Sequence, residues 1–272
     1  MKETRRYLVI GAHPDDDDLM FGGTAIKLAT LGHKVKFVSC CNGDAGHFSE
    51  KPSILAARRE KEALASALVA EVDEYQILDN HDCELMPTLE MRKTITGIIR
   101  SFEPDVVISH RPCDYHADHR AVAQIVQDTA YLITVPLFCP EYKVPPVNPI
   151  YMFSYDKFQK PYPFSPHVAV AIDDVIPQKI KMLDCHRSQF YEWLPYNLGC
   201  LHKVPNSQDE REKYLKDVWL YRNNEQAGQS RLLLRQKYGE SNDVQVKFAE
   251  TFELSEYGRQ PEKGELDDLF PY

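Results

Sequence analysis

The sequence predicts an α/β fold, a mostly parallel sheet flanked by helices and followed by an elaborated C-terminal part. Two observations lead there. Short apolar runs of strand length alternate with amphipathic, helix-length segments through the first half of the chain. The ends of two of these runs carry dense clusters of histidine and aspartate. Strands separated by helical segments need right-handed crossovers, and those generate parallel pairing.

In order, Tyr7–Gly11 is an apolar run expected to be the first strand. Leu19–Leu31 reads as a helix, with Asp17 or Asp18 as its cap and Gly32 as its stop. Lys34–Cys41 reads as a strand leading into the loop Asn42-Gly-Asp-Ala-Gly46. Ser53–Val69 is alanine-rich and amphipathic, so a helix, and Glu74–Leu78 is a short strand. Leu89–Phe102 is helical and closes at Glu103-Pro104. Asp105–His110 is a buried strand, and Asp118–Leu132 is a helix. From Pro136 to Pro166 the chain is rich in proline and aromatic residues. It reads as loops around a strand at Ile150–Ser154, because the aromatics need burial. His167–Ile172 is a further strand, and Val175–Ser188 and roughly Gln208–Tyr221 are helices. The polar, acidic stretch from Tyr257 onward is expected to fray or to pack on a neighbour. The whole is expected to be a single domain over 1–272, with its core at about 5–200 and a helical extension and tail at 201–272.

Bulk composition narrows the function classes. A net charge of −9 and the absence of a Lys/Arg stripe argue against a nucleic-acid partner. No run is long and apolar enough to span a bilayer, and the charged start leads straight into a strand, so no signal peptide is visible. Seven scattered cysteines without a C-x-x-C pair read as reduced thiols in a cytoplasmic protein and argue against a thiolate zinc site.

The chemistry concentrates in Gly11-Ala-His-Pro-Asp-Asp-Asp-Asp18, one imidazole and four carboxylates directly behind the first strand. Adjacent acids repel, and a divalent metal offsets that cost. A second cluster, His116-Ala-Asp-His119, follows the Asp105–His110 strand. In a parallel sheet both clusters fall on one edge, where open α/β folds bind ligands. His13, Asp16 and a histidine of the second cluster would give three protein ligands and leave a position open, the arrangement of a catalytic site. His116 and His119 lie on one side of a helix start, so spacing alone leaves either as the ligand.

At these residues the chain resembles the LmbE-like, or PIG-L, metal-dependent N-deacetylases. The matching segments are Gly11–Asp17, Gly22-Gly-Thr24, Asn42–Gly46, Arg59-Glu-Lys-Glu62, Asp79-Asn-His-Asp82, His116–Arg120 and His186-Arg-Ser-Gln189. The resemblance implies a Rossmann-like fold and removal of the N-acetyl group from an N-acetylglucosamine-type sugar or sugar conjugate. It implies one Zn²⁺ per chain held by His13, Asp16 and His119, although this ligand set would also accept other divalent transition metals. It casts Asp15 as the general base, His116 as oxyanion stabiliser or general acid, and Asp118 as the group that sets the His116 tautomer. A His116–Asp118 pair would raise the imidazole pKa. Arg59, Asp82, Asp114, Tyr115 and His186 are candidate substrate contacts.

Two departures stand out: Asp17 replaces a more usual glutamate, and Cys83 replaces a more usual glycine after Asp82. Gly22-Gly23 lacks the G-x-G-x-x-G spacing of a dinucleotide turn and reads as close helix–sheet packing. Asp18 reads as a cap or a solvated acid, and His110 as structural. The expected partner is a small N-acetylated sugar, and homo-oligomerisation is compatible with such a fold. A metal-dependent esterase or amidase on a non-sugar substrate, or a catalytically silent sugar-binding relative, are the competing functional readings.

Overall fold

A computed structural model describes residues 4–239 and 246–271. Its strands are β1 (Arg6–Gly11), β2 (Lys34–Ser39), β3 (Glu74–Ile77), β4 (Val106–Ser109), β5 (Ile150–Ser154), β6 (Val168–Ala171) and β7 (Ala249–Gly258). They form one sheet in the order β3-β2-β1-β4-β5-β7-β6. The first five are mutually parallel, whereas β7 runs antiparallel to both β5 and β6.

The pleat of β1 explains the layering. Tyr7 and Val9 point into one apolar layer and Leu8 and Ile10 into the other, and all four are fully buried. Helices α1 (Asp16–Thr30) and α2 (Pro52–Ala70) cover the Tyr7/Val9 face, while α3 (Leu89–Phe102) and α4 (Ala117–Leu132) cover the other. Local signals set these helices. Pro52 opens α2, and Glu71 closes it in the left-handed region. Thr88 caps α3 by accepting from Met91 N at 3.2 Å.

β1 lies between β2 and β4, so the connections leaving its two neighbours run in opposite directions along the sheet. A crevice therefore opens at the carboxyl ends of β1 and β4. The two histidine–aspartate clusters follow those two strands.

Several expectations are corrected. Helix α1 starts at Asp16, with Asp15 in the N-cap position, so Asp17 and Asp18 lie inside its first turn. The segment read as one helix over 175–188 is α5 (Ile176–Cys185), then a π-helical turn over Ser188–Trp193 that runs into α6 (Leu194–Asn197). The helix expected at roughly 208–221 is present as α7 (Gln208–Val218), and α8 (Tyr221–Gln229) and α9 (Arg231–Tyr238) follow it. The polar tail does not fray. It supplies the end of β7 and α10 (Glu265–Leu269), and Leu269 and Phe270 are buried in the chain's own core against Tyr7 and Phe252.

The expected close packing at Gly22-Gly23 is present. A Cβ on Gly23 would lie 2.8 Å from Ile172, and one on Gly22 would lie 3.1 Å from Met182. Glu250 of β7 accepts from the backbone of Gly23 (2.8 Å) and Thr24 (2.7 Å) and pairs with Lys179 of α5, with both charges fully buried. The proline-rich region is ordered by two buried arginines. Arg100 donates to the carbonyls of Leu132, Ile133, Val135, Phe138, Cys139 and Tyr142. Arg111 holds Asp156 (2.9 Å) and the carbonyls of Phe158 and Tyr162.

Candidate metal centre and catalytic pocket

The turn after β1 is shaped by Asp16. Its Oδ2 accepts from the backbone N–H of Ala12 (3.1 Å) and His13 (2.8 Å), curling the loop round its own carboxylate. Gly11 makes this possible, because a Cβ there would lie 2.6 Å from Asp17 Oδ1 and 2.8 Å from Asp16 Cβ. The same Oδ2 lies 3.4 Å from His13 Nδ1 and 3.4 Å from His119 Nε2, and those two nitrogens are 3.3 Å apart. Three donor atoms thus form a nearly equilateral triangle. Zinc bonds to nitrogen and oxygen of roughly 2.0–2.1 Å imply tetrahedral edges of about 3.3–3.4 Å. The donors therefore fit one face of a zinc-type tetrahedron.

Electrostatics agree with a cation at that point. Burial pulls the His13 imidazole down, but hydrogen bonds to Asp118 and Asp16 carry its pKa up to about 10. Burial pushes Asp16 up, yet His119 and His110 hold its carboxyl well below the usual range. Each of these two imidazoles is backed by a carboxylate. Asp118 Oδ2 lies 3.1 Å from His13 Nε2, and Asp114 Oδ1 lies 3.0 Å from His119 Nδ1.

This reassigns two expected roles. The Asp118 carboxylate is 3.8 Å from His116 Nδ1 and also accepts from Cys83 N (2.7 Å), so it orients His13 rather than His116. It is instead the Asp118 backbone N–H that donates to His116 Nδ1 (3.2 Å), which places the His116 proton on Nε2 and makes its ring the cap of α4. The expected rise in the His116 pKa is also reversed, because burial and the nearby His13 and His119 rings lower it. Asp114, a candidate sugar contact, is 9% exposed and engaged by His119 Nδ1 and the His116 backbone N–H (2.9 Å).

Asp15 is not one of the three donors, although it lines the same cavity. Its Oδ1 accepts from Arg59 Nη2 at 2.8 Å, with both side chains almost wholly buried. Burial raises the Asp15 pKa, and Arg59 is the largest opposing influence. Arg59 also reaches Gly43 O (3.2 Å) and lies 3.5 Å from Asp82, whose other oxygen accepts from Gly43 N (2.9 Å). Arg59 and Asp82 line the pocket, but their charged atoms are turned onto Asp15 and the 42–46 loop. Glu62 is paired by Arg58, whose Nε lies 3.1 Å from it.

Asp18 and His186 are corrected. Both are fully buried, 3.2 Å apart, and Asp18 also receives hydrogen bonds from the hydroxyls of Ser66 and Tyr75. They pin α1 beneath the site, and His186 does not reach substrate space. Asp17 is buried too. Its Oδ2 accepts from Val38 N (3.1 Å), and burial beside Asp16 and Asp18 raises its pKa well above the ordinary range. Tyr115 is 71% exposed at the rim, with its ring 5.3 Å from that of His119.

A cavity of about 400 Å³ opens over Asp15, Asp16, His13, His116 and His119. Sequence reasoning missed several of its members. His110, read as structural, stacks on His119 at 4.0 Å and approaches Asp16 Oδ2 at 3.3 Å. Its place at the end of β4 was the available signal. Gln189 and Trp193 enter from the π-helical turn, and Trp219, Tyr221 and Arg222 enter from the α7–α8 junction. No motif marks the latter three.

Residues 8–130 match the model of the PIG-L family, described as GlcNAc-PI de-N-acetylase. The chain is 30% identical over 204 residues to diacetylchitobiose deacetylase of Thermococcus kodakarensis, covering 71% of this chain and 75% of the relative. N,N'-diacetylchitobiose deacetylase from Pyrococcus horikoshii superposes with a TM-score of 0.68 at 24% identity, covering 93% of this chain and 85% of that one. A structure of GalB, the 4-carboxy-2-hydroxymuconate hydratase of Pseudomonas putida, superposes at 0.71 with 18% identity, covering 95% and 99%. The fold alone therefore does not select the reaction.

Proposed function

The chain belongs to the PIG-L family, and on that premise we propose that it is a metal-dependent hydrolase that removes acetyl from an N-acetylglucosamine-type sugar or conjugate. The single observation that carries this reading is the triangle of His13 Nδ1, Asp16 Oδ2 and His119 Nε2, with Asp15 free of it and held beside it by Arg59. The chitobiose deacetylase likeness supplies the substrate class.

In this reading His13, Asp16 and His119 hold one divalent ion, with zinc the best match to the donor set. Such an ion, when bound, supplies a Lewis acid for the amide carbonyl and a water of pKa about 7. Asp15 takes the proton of the attacking water. Burial raises its pKa and Arg59 opposes that rise, so the pairing with Arg59 tunes the carboxylate as a base. His116, neutral and protonated on Nε2, donates from that atom to the developing oxyanion or the departing nitrogen. Asp118 and Asp114 fix the two ligand imidazoles. We assign the described chain to a single domain, because β7 lies between β5 and β6 in one sheet. Free thiols at all seven cysteines suit a reducing, cytoplasmic setting. No helix among the described residues is long and apolar enough to cross a membrane.

The test is acetate release from N-acetylated sugars by metal-loaded protein. Asp15→Ala should retain the metal and lose most turnover, whereas His119→Ala should lose both. Full activity in Asp15→Ala would remove the base from this mechanism.

A further inference from the structure

The α7–α8 junction reaches the catalytic cavity with Trp219, Tyr221 and Arg222. Arg222 differs from the other cations on that wall. Arg59 is engaged by Asp15 and Asp82. Lys157 pairs with Glu225 at 2.9 Å and lies over the Tyr221 ring. Asp156, a lining acid, is taken by Arg111 at 2.9 Å. Arg222 donates from Nη2 to the carbonyl of Tyr155 at 3.1 Å. Among the described residues no carboxylate lies within ion-pair distance of it.

That leaves a guanidinium anchored at one nitrogen, with further N–H groups and its whole charge unmatched, on the wall of a largely apolar cavity. Arg222 lines the same cavity as His13, His116 and His119. A planar guanidinium pairs best with an oxyanion group through two parallel hydrogen bonds. The Trp219 and Tyr221 rings beside it suit the apolar face of whatever carries that group.

We propose that Arg222 binds an oxyanion group, carboxylate or phosphate, on the aglycone of the amino sugar, and so makes the enzyme selective for anionic conjugates. The proposal rests on the deacetylase reading for the position of the sugar. Arg222 acts there as a specificity residue, remote from the acetyl transfer to water.

The experiment uses methyl, carboxymethyl and 2-phosphoethyl glycosides of glucosamine, in both anomers. These are products that the enzyme cannot turn over, and their binding to metal-loaded protein is measured by calorimetry. Their N-acetyl counterparts are assayed in parallel for acetate release. One or both charged glycosides should bind about tenfold tighter than the methyl glycoside. Which of the two does so identifies the group. Arg222→Gln should bring the charged glycosides to the methyl level and leave the methyl glycoside unchanged, and Arg222→Lys should keep part of the preference. Equal binding of charged and neutral glycosides, a preference that survives Arg222→Gln, or no binding of any of them would overturn the proposal. Absence of acetate release while the Arg222-dependent preference persists would instead count against the deacetylase reading alone.

Discussion

Replacing Arg59 by methionine should shift the pH profile rather than abolish the reaction. Arg59 Nη2 and Asp15 Oδ1 are 2.8 Å apart, and the side chains are 3% and 9% exposed. Removing one partner of a buried ion pair costs about 3–5 kcal/mol, because the other charge is left without compensation. Asp15 can relieve that cost by taking up a proton. At about 1.4 kcal/mol per factor of ten, the penalty corresponds to a rise of at least about 100-fold in the carboxyl's proton affinity. The sign is fixed by chemistry. Burial already raises Asp15, and Arg59 is its main opponent, so its loss raises the carboxyl further. A base works deprotonated, so the acid limb of kcat/KM moves to higher pH. Activity on the acid side should fall on the order of 100-fold and recover as pH rises past the new limb. Metal content should remain at the wild-type level, since Arg59 touches none of the three donors. Arg59→Lys should restore part of the shift. The assay is acetate release against pH, with metal content measured on the same samples. An acid limb unmoved in Arg59→Met would refute the claim that this guanidinium tunes Asp15 as a base.

Asp118→Asn should weaken metal binding by about 10–100-fold by loosening His13, as read by competition with a chelator, while the fold's far-UV dichroism stays unchanged. Phe270→Ala should cost about 3–5 kcal/mol in urea unfolding, because that ring is wholly buried against Tyr7 and Phe252. A loss near zero would mean that the C-terminal residues contribute nothing to the core.

The half of the molecule that makes the site was legible because two local rules suffice there. Alternating strand and helix periods give parallel order, and parallel order sends the residues after β1 and β4 to one edge. The partners of those residues were not legible. Asp118 follows His116 by two positions, which suggests a pair. However, His116 sits at the cap of α4, and the first turn of the helix sends Asp118 inward to His13, 105 residues away in sequence. Asp18 looks like a solvated acid in a run of four, but the start of α1 at Asp16 turns it into the core against Ser66, Tyr75 and His186. The tail misled for a related reason. Its composition is acidic, yet Leu269 and Phe270 are buried and Leu266 packs against the same core. Arg222 carried no signal at all, since an arginine in a polar helix is ordinary until the cavity beside it is known.

The insertion of β7 between β5 and β6 bears on how the chain reaches this state. β5 and β6 have no edge in common, and each pairs with β7, a strand that begins only at Ala249. During synthesis the parallel strands β1 to β5 can assemble long before that point, but β6 must wait for a partner some 80 residues downstream. In the interval β5 presents an unpaired margin, and the lone charges of Lys179 and of the later-arriving Glu250 have yet to meet. A nascent or truncated chain that stops before Ala249 would thus carry an open sheet border prone to self-association, so the last strand acts as the closing seam of the molecule.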